Sequence, residues 1–439
     1  MLNWRKPIIY ALLYLTGSKV PGILKEIQRV DNLSESEIKK YQNEKLKKML
    51  LHAYNNVPYY HKILEEAEVV KNGKVNLANF HKIPILTKDI IRKEGNNMYS
   101  KDYLQRKPHP NTSGGSTGEP LQLIQDKEYD DINYLANKIY FQLVNGKDIG
   151  ELEMNLWGSM RDIQRNHFGF KERFTNFLYN RIILNTFKMD ENDMKRFTEQ
   201  INKKKPVSMW VFSESLETFC KFIKQNNIKI THSPKFILST AGTLYPEVKK
   251  LAEEIFKCPV LNQYGSREVG AMAVECKYNT GLHGFPWSHY IEVINNEIVV
   301  TLLTNYSMPL IRYKIGDYGS LVKNKSCKCG RNSLTFKKVD GKTISFFKKK
   351  NGELLSAQYF IRLFFFWNWI KQFKLIQKDY DLIEFRVVLN KEANKANMKY
   401  FEEETKKVMG NKCKVKWNFV KKIEPTISGK YIYTVSEIK

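Results

Sequence analysis

Apolar positions in residues 34–64, "SESEIKKYQNEKLKKMLLHAYNNVPYYHKIL", recur at helical spacing behind a serine start. They predict an amphipathic helix broken at Pro58, with a second helix beginning there. "IPILTK" (83–88) is short and extended, and Asp126 to Val144 again reads as helix. Short apolar runs then alternate with helical stretches: "MNLWG" (154–158) and "VSMWVFS" (207–213) against "SLETFCKFIKQNN" (215–227). "KFILSTAGTLYPEVKKLAEEIFKCPVLNQYGS" (235–266) repeats strand, turn, helix and strand, the rhythm of a parallel or mixed sheet. "YIEVINNEIVVTLLT" (290–304) predicts a hairpin turned at Asn295-Asn296 and so an added antiparallel region.

The pattern shifts after "VDGK" (339–342). Beyond it lie "FFKKKNGELL", an aromatic stretch "YFIRLFFFWNWIKQF" (359–373) that reads as helix, and a strand "IEFRVVL". A helix around 394–409 and a strand "CKVKWNFV" (413–420) follow. The expected architecture is α/β. A large N-terminal domain (1–340) of mixed and parallel β-sheets flanked by helices precedes a small C-terminal α+β domain (341–439).

A chain of 439 residues, 42% hydrophobic, is long enough for more than one core. Its 72 Lys+Arg against 46 Asp+Glu give +26, with roughly +11 of that on the C-terminal domain. That excess favours anionic partners, or else a lysine-rich solvated face. Six cysteines in this length are no disulfide framework. The N-terminal apolar run Ile8–Leu15 is too short to span a bilayer, and no cleavage site follows it. A cytoplasmic protein is expected, with contact at the inner face of the membrane left open.

Four segments carry candidate chemistry. "NTSGGSTGEP" (111–120) has Gly114, Gly115 and Gly118 to turn backbone N–H groups toward an anion, and Ser113, Ser116 and Thr117 as hydroxyl donors. It lacks the lysine of a P-loop, and alone such a run is more often an ordinary flexible turn. "NQYGSREVG" (262–270) offers Tyr264 to stack on a base, Gly265 for a tight turn and Glu268 for a metal. "PLIRYKIGDYG" (309–319) reads as an apolar strand running into Gly316-Asp317, fixing a carboxylate at a strand end, where it can accept both ribose hydroxyls. "EPTISGKYIYTVSEI" (424–438) presents Lys430 from a turn. Each has a bland reading as turn, cap or solvated charge.

Taken in this order, the segments resemble the adenylate-forming enzyme superfamily, in its phenylacetate–CoA ligase and CapK-like capsular-polysaccharide branch. "LLHAYNNVPYYHKIL", "FHKIPILTKDIIRKE", "TSGGSTGEP", "YGSREVG", "PLIRYKIGD", "CKCGR" and "SGKY" carry the likeness. It implies an enzyme that activates a carboxylic acid with ATP as acyl-AMP, releases pyrophosphate and passes the acyl group to coenzyme A or to a glycan or amine. Ser113, Ser116 and Thr117 would hold the triphosphate, and Ala241 and Gly242 with Tyr264, Gly265 and Ser266 would line the nucleotide. Glu268 would bind magnesium, Asp317 the ribose, and Lys430 the reacting oxygens. The C-terminal domain would rotate about a hinge near Asp340–Lys342. There "GKTIS" replaces the usual Gly-Arg, so Lys342 supplies a charge without the bidentate fork.

Cys276, His283, Cys327 and Cys329 form a tetrahedral zinc set in composition. The resemblance implies a structural zinc there. The acyl pocket is expected around residues 156–160, 211–215 and 238–242, near Trp157, Trp210 and Phe212. A non-enzymatic anion binder, for nucleic acid or membrane, is the reading of another class. No RNA-binding signature or zinc-finger spacing supports it.

Overall fold

The computed structural model describes residues 3–113, 121–157, 169–186, 191–322, 327–342, 346–351, 354–356, 360, 363–364, 367, 369–424 and 432–438. The chain divides into two compact units, Met1–Ile315 with Gly319–Val339, and Gly316–Tyr318 with Asp340–Lys439.

The first unit opens on helices α1 (Arg5–Leu15), α2 (Val20–Asp31) and α3 (Glu35–Asn56). Ser34 caps α3 in a reciprocal box with Glu37, and Pro58 starts the next helix, where its missing N–H costs nothing. Five parallel strands follow in spatial order: Arg181–Leu184, Glu153–Leu156, Ser208–Phe212, Phe236–Thr240 and Val260–Ser266. From Val260–Ser266 the same sheet turns antiparallel through Gly270–Glu275, Leu282–Gly284 and Thr335–Lys342. Tyr313–Leu321, Glu297–Leu302 and His289–Ile294 complete eleven strands among the described residues. Asn295 and Asn296 both take positive φ, the pair of left-handed residues that a two-residue hairpin turn requires.

The helical segment after the opening loop runs Lys127–Tyr129, Asp130–Ala136 and Asn137–Val144, its middle wound as π-helix. Its inner face (Ile132, Ala136, Ile139, Tyr140) packs on one side of the parallel strands together with Ile9, Leu13, Leu24 and Ile27. At the edge of that interface Glu153, 1% exposed, faces Lys138 at 2.6 Å and Lys147 and Arg181 at 3.8 Å. Burial pushes its carboxyl up, but the three cations outweigh that and hold it at about 2.

In the second unit a four-stranded sheet is ordered Lys414–Phe419, Leu382–Leu389, Ile370–Asp379, Thr434–Ser436, with the Lys395–Met409 helix. Phe364 stacks on Phe401 at 4.4 Å inside it.

Three expectations are corrected. The aromatic stretch does not stay helical to Phe373: from Ile370 it is strand, because Phe373 and Leu375 alternate inward in register with Val387 and Phe385. "PLIR" is not strand; the strand begins at Tyr313, so Asp317 lies in its middle rather than at its end. Tyr264, Gly265 and Ser266 belong to the strand itself, and the tight turn is Arg267–Val269. Gly265 is required there by close approach rather than by a turn. A Cβ would stand 2.3 Å from the Gly270 carbonyl oxygen.

Candidate functional site

The hairpin His109–Thr112 with Gln122–Gln125 forms the stem of the Ser/Gly loop. Ser113, buried, closes it twice: its N–H donates to the Leu121 carbonyl at 2.9 Å and its Oγ accepts from the Leu121 N–H at 2.8 Å. Gly114, Gly115, Ser116, Thr117 and Gly118 lie outside the described residues. The stem is pinned to the turn that carries Glu268, since Gln125, nearly solvent-free, donates from Nε2 to the Arg267 carbonyl at 2.9 Å. The two motifs, about 150 residues apart in sequence, are therefore neighbours.

Glu268 is buried and pairs with Lys88 at 3.3 Å. Lys88 opens the helix Lys88–Glu94, whose N-cap is the Thr87 hydroxyl. No sequence signal singled it out. Asp317 is buried. Ala241 holds φ +67°, a left-handed backbone unusual for a residue with a Cβ, and such strain concentrates at functional sites. Gly242 faces the Glu214 carboxylate so closely that a Cβ would come within 2.2 Å of Oε1. Lys342 ends the Thr335–Lys342 strand beside the unit boundary at Val339/Asp340, and Lys430 lies outside the described residues.

On the helix-covered face of the parallel strands, Trp157 stacks on Phe212 at 3.8 Å and meets Trp210 edge-on at 5.9 Å. Asn155 is the register partner of Trp210. Among the described residues, several buried polar atoms of the parallel strands have no hydrogen-bond partner: Nε1 of Trp210, Oδ1 of Asn155, Oε1 of Gln263 and Oγ of Ser266. Asn133 adds an amide oxygen, also unpartnered among the described residues, against Gly270, the strand partner of Ser266. An unmet buried donor or acceptor costs about 1–3 kcal/mol, so such atoms are where a polar ligand gains most.

A second cluster sits in the antiparallel part of the sheet. Ligand atoms of Cys276, His283, Cys327 and Cys329 all lie within 4.8 Å of one another. Cys276 Sγ is 3.5 Å from Cys327 Sγ, and Cys329 Sγ is 3.5 Å from His283 Nε2. Around a tetrahedral zinc, neighbouring sulfurs stand roughly 3.8 Å apart, so the set fits that ion. The supporting residues fit as well. Thr335 Oγ1 lies 3.0 Å from His283 Nδ1 and donates its own proton to the Ser333 carbonyl, so Nδ1–H is the donor and the Nε2 lone pair faces the thiols. Burial and the Arg331 charge push His283 down to about 4, leaving a neutral ring. Burial opposes ionisation of Cys327, but the Thr280 hydroxyl at 2.9 Å and the Cys329 N–H outweigh it and hold the thiol below its ordinary value. Arg331 then ties this knuckle to α2 through Asp31 at 2.8 Å.

Residues 347–437 match the family model of the CapK C-terminal domain. Over its full length the chain is 25% identical to protein CapK of Staphylococcus aureus, itself covered completely. It is 22% identical to the phenylacetate-coenzyme A ligase of Thermus thermophilus over 72% of each chain. Residues 347–437 thus carry a CapK C-terminal domain, and the chain as a whole is similar to the CapK-like and phenylacetate–CoA ligase branch of the adenylate-forming enzymes. Its fold is that of the CoA ligases among the solved structures it matches. The 2-hydroxyisobutyryl-CoA ligase in its postadenylation state superposes with a TM-score of 0.70 at 16% identity, over 93% of this chain and 92% of the other. The O-succinylbenzoate coenzyme A synthetase of Bacillus subtilis, solved with ATP and magnesium, gives 0.52 at 13% identity over 74% and 68%.

Proposed function

We propose that the protein activates a carboxylic acid with ATP as an acyl-adenylate, releasing pyrophosphate, and passes the acyl group to an acceptor in surface-polysaccharide assembly. The observation that carries this reading is the bond from the stem of the Ser/Gly loop to the Glu268 turn, on a sheet whose paired strands also hold Trp210 and Asn155 atoms unpartnered among the described residues. On this reading the sheet would carry a polar acyl site, a carboxylate and a phosphate loop.

In this mechanism the Ser113–Gly118 loop holds the triphosphate tail with amides and hydroxyls. Ala241, Gly242 and Tyr264 flank the base, and Asp317 accepts the ribose hydroxyls. A buried carboxylate with one neighbouring cation fits a magnesium held mostly by phosphate oxygens and water. Glu268 would bind it, and the ion, when present, would neutralise phosphate charge. Lys430, from the C-terminal domain, stabilises the oxyanions that develop as the acid attacks the α-phosphate. The residues of the Cys276–Cys329 cluster would hold zinc as a structural cross-link between two sheet segments, away from the chemistry.

The likeness to CapK supports the polysaccharide setting, and the likeness to the Thermus enzyme supports coenzyme A as an alternative acceptor. The test is pyrophosphate release over a panel of hydroxylated, amidated and aryl acids, with and without coenzyme A. Release with a polar acid is expected; no release with any acid would refute the reading.

A further inference from the structure

The first helix is apolar on both sides. Ile9 and Leu13 are buried against α2, yet Trp4, Ile8 and Leu15 on the opposite side are exposed, Leu15 by 82%. A helix that buries one apolar stripe in its own protein and shows another to water is built for two contacts. The helix Phe170–Leu178 adds a second exposed apolar row. Phe170, Phe174 and Phe177 fall at positions one helical face apart and are exposed by 86%, 50% and 58%. The two stripes join: the Trp4 and Phe177 rings lie 6.3 Å apart, and the Arg5 guanidinium covers Trp4 at 4.4 Å while its Nε donates to the Phe177 carbonyl at 3.2 Å.

We propose that this joined face is a docking surface for an anionic lipid bilayer. Its chemistry is complementary to one. Between Met1 and Lys25 there are four cations (Arg5, Lys6, Lys19, Lys25) and no carboxylate, on a chain of net charge +26. Lys6 and Lys19 pair with Asp148 at 2.7 Å and Glu128 at 3.8 Å, so Arg5 and Lys25 carry most of the attraction. Aromatic and aliphatic side chains enter the interfacial layer while the basic groups meet lipid phosphates. The surface lies on the membrane and does not cross it. Eleven residues of α1 reach about 16 Å, half a hydrocarbon core. The bent continuation α2, at 108°, has its apolar side committed to the protein core.

The full-length protein is sedimented with vesicles of phosphatidylcholine alone and with roughly a third phosphatidylglycerol, alongside the double variant Leu15→Ser/Phe170→Ser. Both side chains are solvent-exposed, so the variant should melt like the parent. Expected are binding to the anionic vesicles, weakening with salt, and a loss of about tenfold or more in the variant. No binding to anionic vesicles, or equal binding by the variant, overturns the proposal. A parent dimer that the variant breaks, seen by light scattering, overturns it too, because a second copy then covers this face.

Discussion

Replacing Thr335 by valine removes one hydroxyl from a buried position and leaves the side-chain shape almost unchanged. That hydroxyl accepts from His283 Nδ1–H and donates to the Ser333 carbonyl, both at 3.0 Å, and so selects the tautomer whose Nε2 faces Cys329. Without it a buried N–H goes unpaired at a cost of about 1–3 kcal/mol, and the ring is free to place its proton on Nε2, where it cannot ligate. Loss of a supporting contact of this kind typically weakens a metal site by about 10–100-fold. The assay is competition of the purified protein's zinc against a chromogenic chelator. The midpoint for Thr335→Val should move by that factor, while Cys276→Ser, which removes a ligand outright, should lose the metal altogether. A parent protein that purifies without zinc and takes none up refutes the reasoning. So does a Thr335→Val variant that holds zinc as tightly as the parent.

Lys430→Ala should lower the rate of adenylation by about 10²–10³-fold, the usual loss when a group stabilising a developing oxyanion is removed, with ATP binding by calorimetry nearly intact; an equal loss of both would assign Lys430 to binding. Lys88→Met deletes a cation 3.3 Å from Glu268, so a metal at that carboxylate meets less competition and half-maximal activity should need several-fold less magnesium. A greater magnesium requirement would instead give Lys88 a phosphate-binding role. Glu153→Gln leaves the surrounding cations uncompensated, and breaking a buried ion pair in this way costs about 3–5 kcal/mol, so Tm at pH 7 should fall by several degrees. Because the folded-state pKa is depressed, that contribution is complete above pH 4.5 and is lost as pH falls toward 2. The gap in Tm between parent and variant should therefore narrow from pH 7 to pH 3, and a constant gap would rule out this charge as the cause.

Elements with a local cause were legible in the sequence. The Ser34 box, the Pro58 restart, the Asn295-Asn296 turn and the strand–helix–strand rhythm of 235–266 all follow from short-range rules, and the structure carries each of them. The errors came where local composition and distant pairing disagree. Residues 370–373 read as the end of an aromatic helix, but pairing with Val387 and Leu389 draws them into a sheet. Gly265 and Gly316 invited turns, yet both lie inside strands. At the site, motif residues could be named, whereas their supports could not. Lys88, Gln125 and Thr335 make contacts to residues 180, 142 and 52 positions away, and a single sequence carries no sign of such partners.

Those unsigned contacts also hold the sheet in a chain only 22–25% identical to the relatives it matches. What must survive is the edge of the sheet, and that edge is fastened from outside the motifs. Gln125 holds the loop stem to the Arg267 carbonyl, a backbone group that any side chain at 267 would offer. Asp31 receives both Tyr140 at 2.7 Å and Arg331 at 2.8 Å, so one carboxylate on α2 joins the covering helix to the cysteine knuckle. The acyl side is different. Its unpartnered groups belong to Asn155, Trp210 and Gln263, side chains whose pairing is left to whatever binds. Positions that fasten the frame are constrained by the fold, and positions that leave a donor or acceptor unmet are constrained by the substrate. On that division Asn155, Trp210 and Gln263 are where relatives acting on different acids should differ, while Gln125 and Asp31 should not vary with the acid.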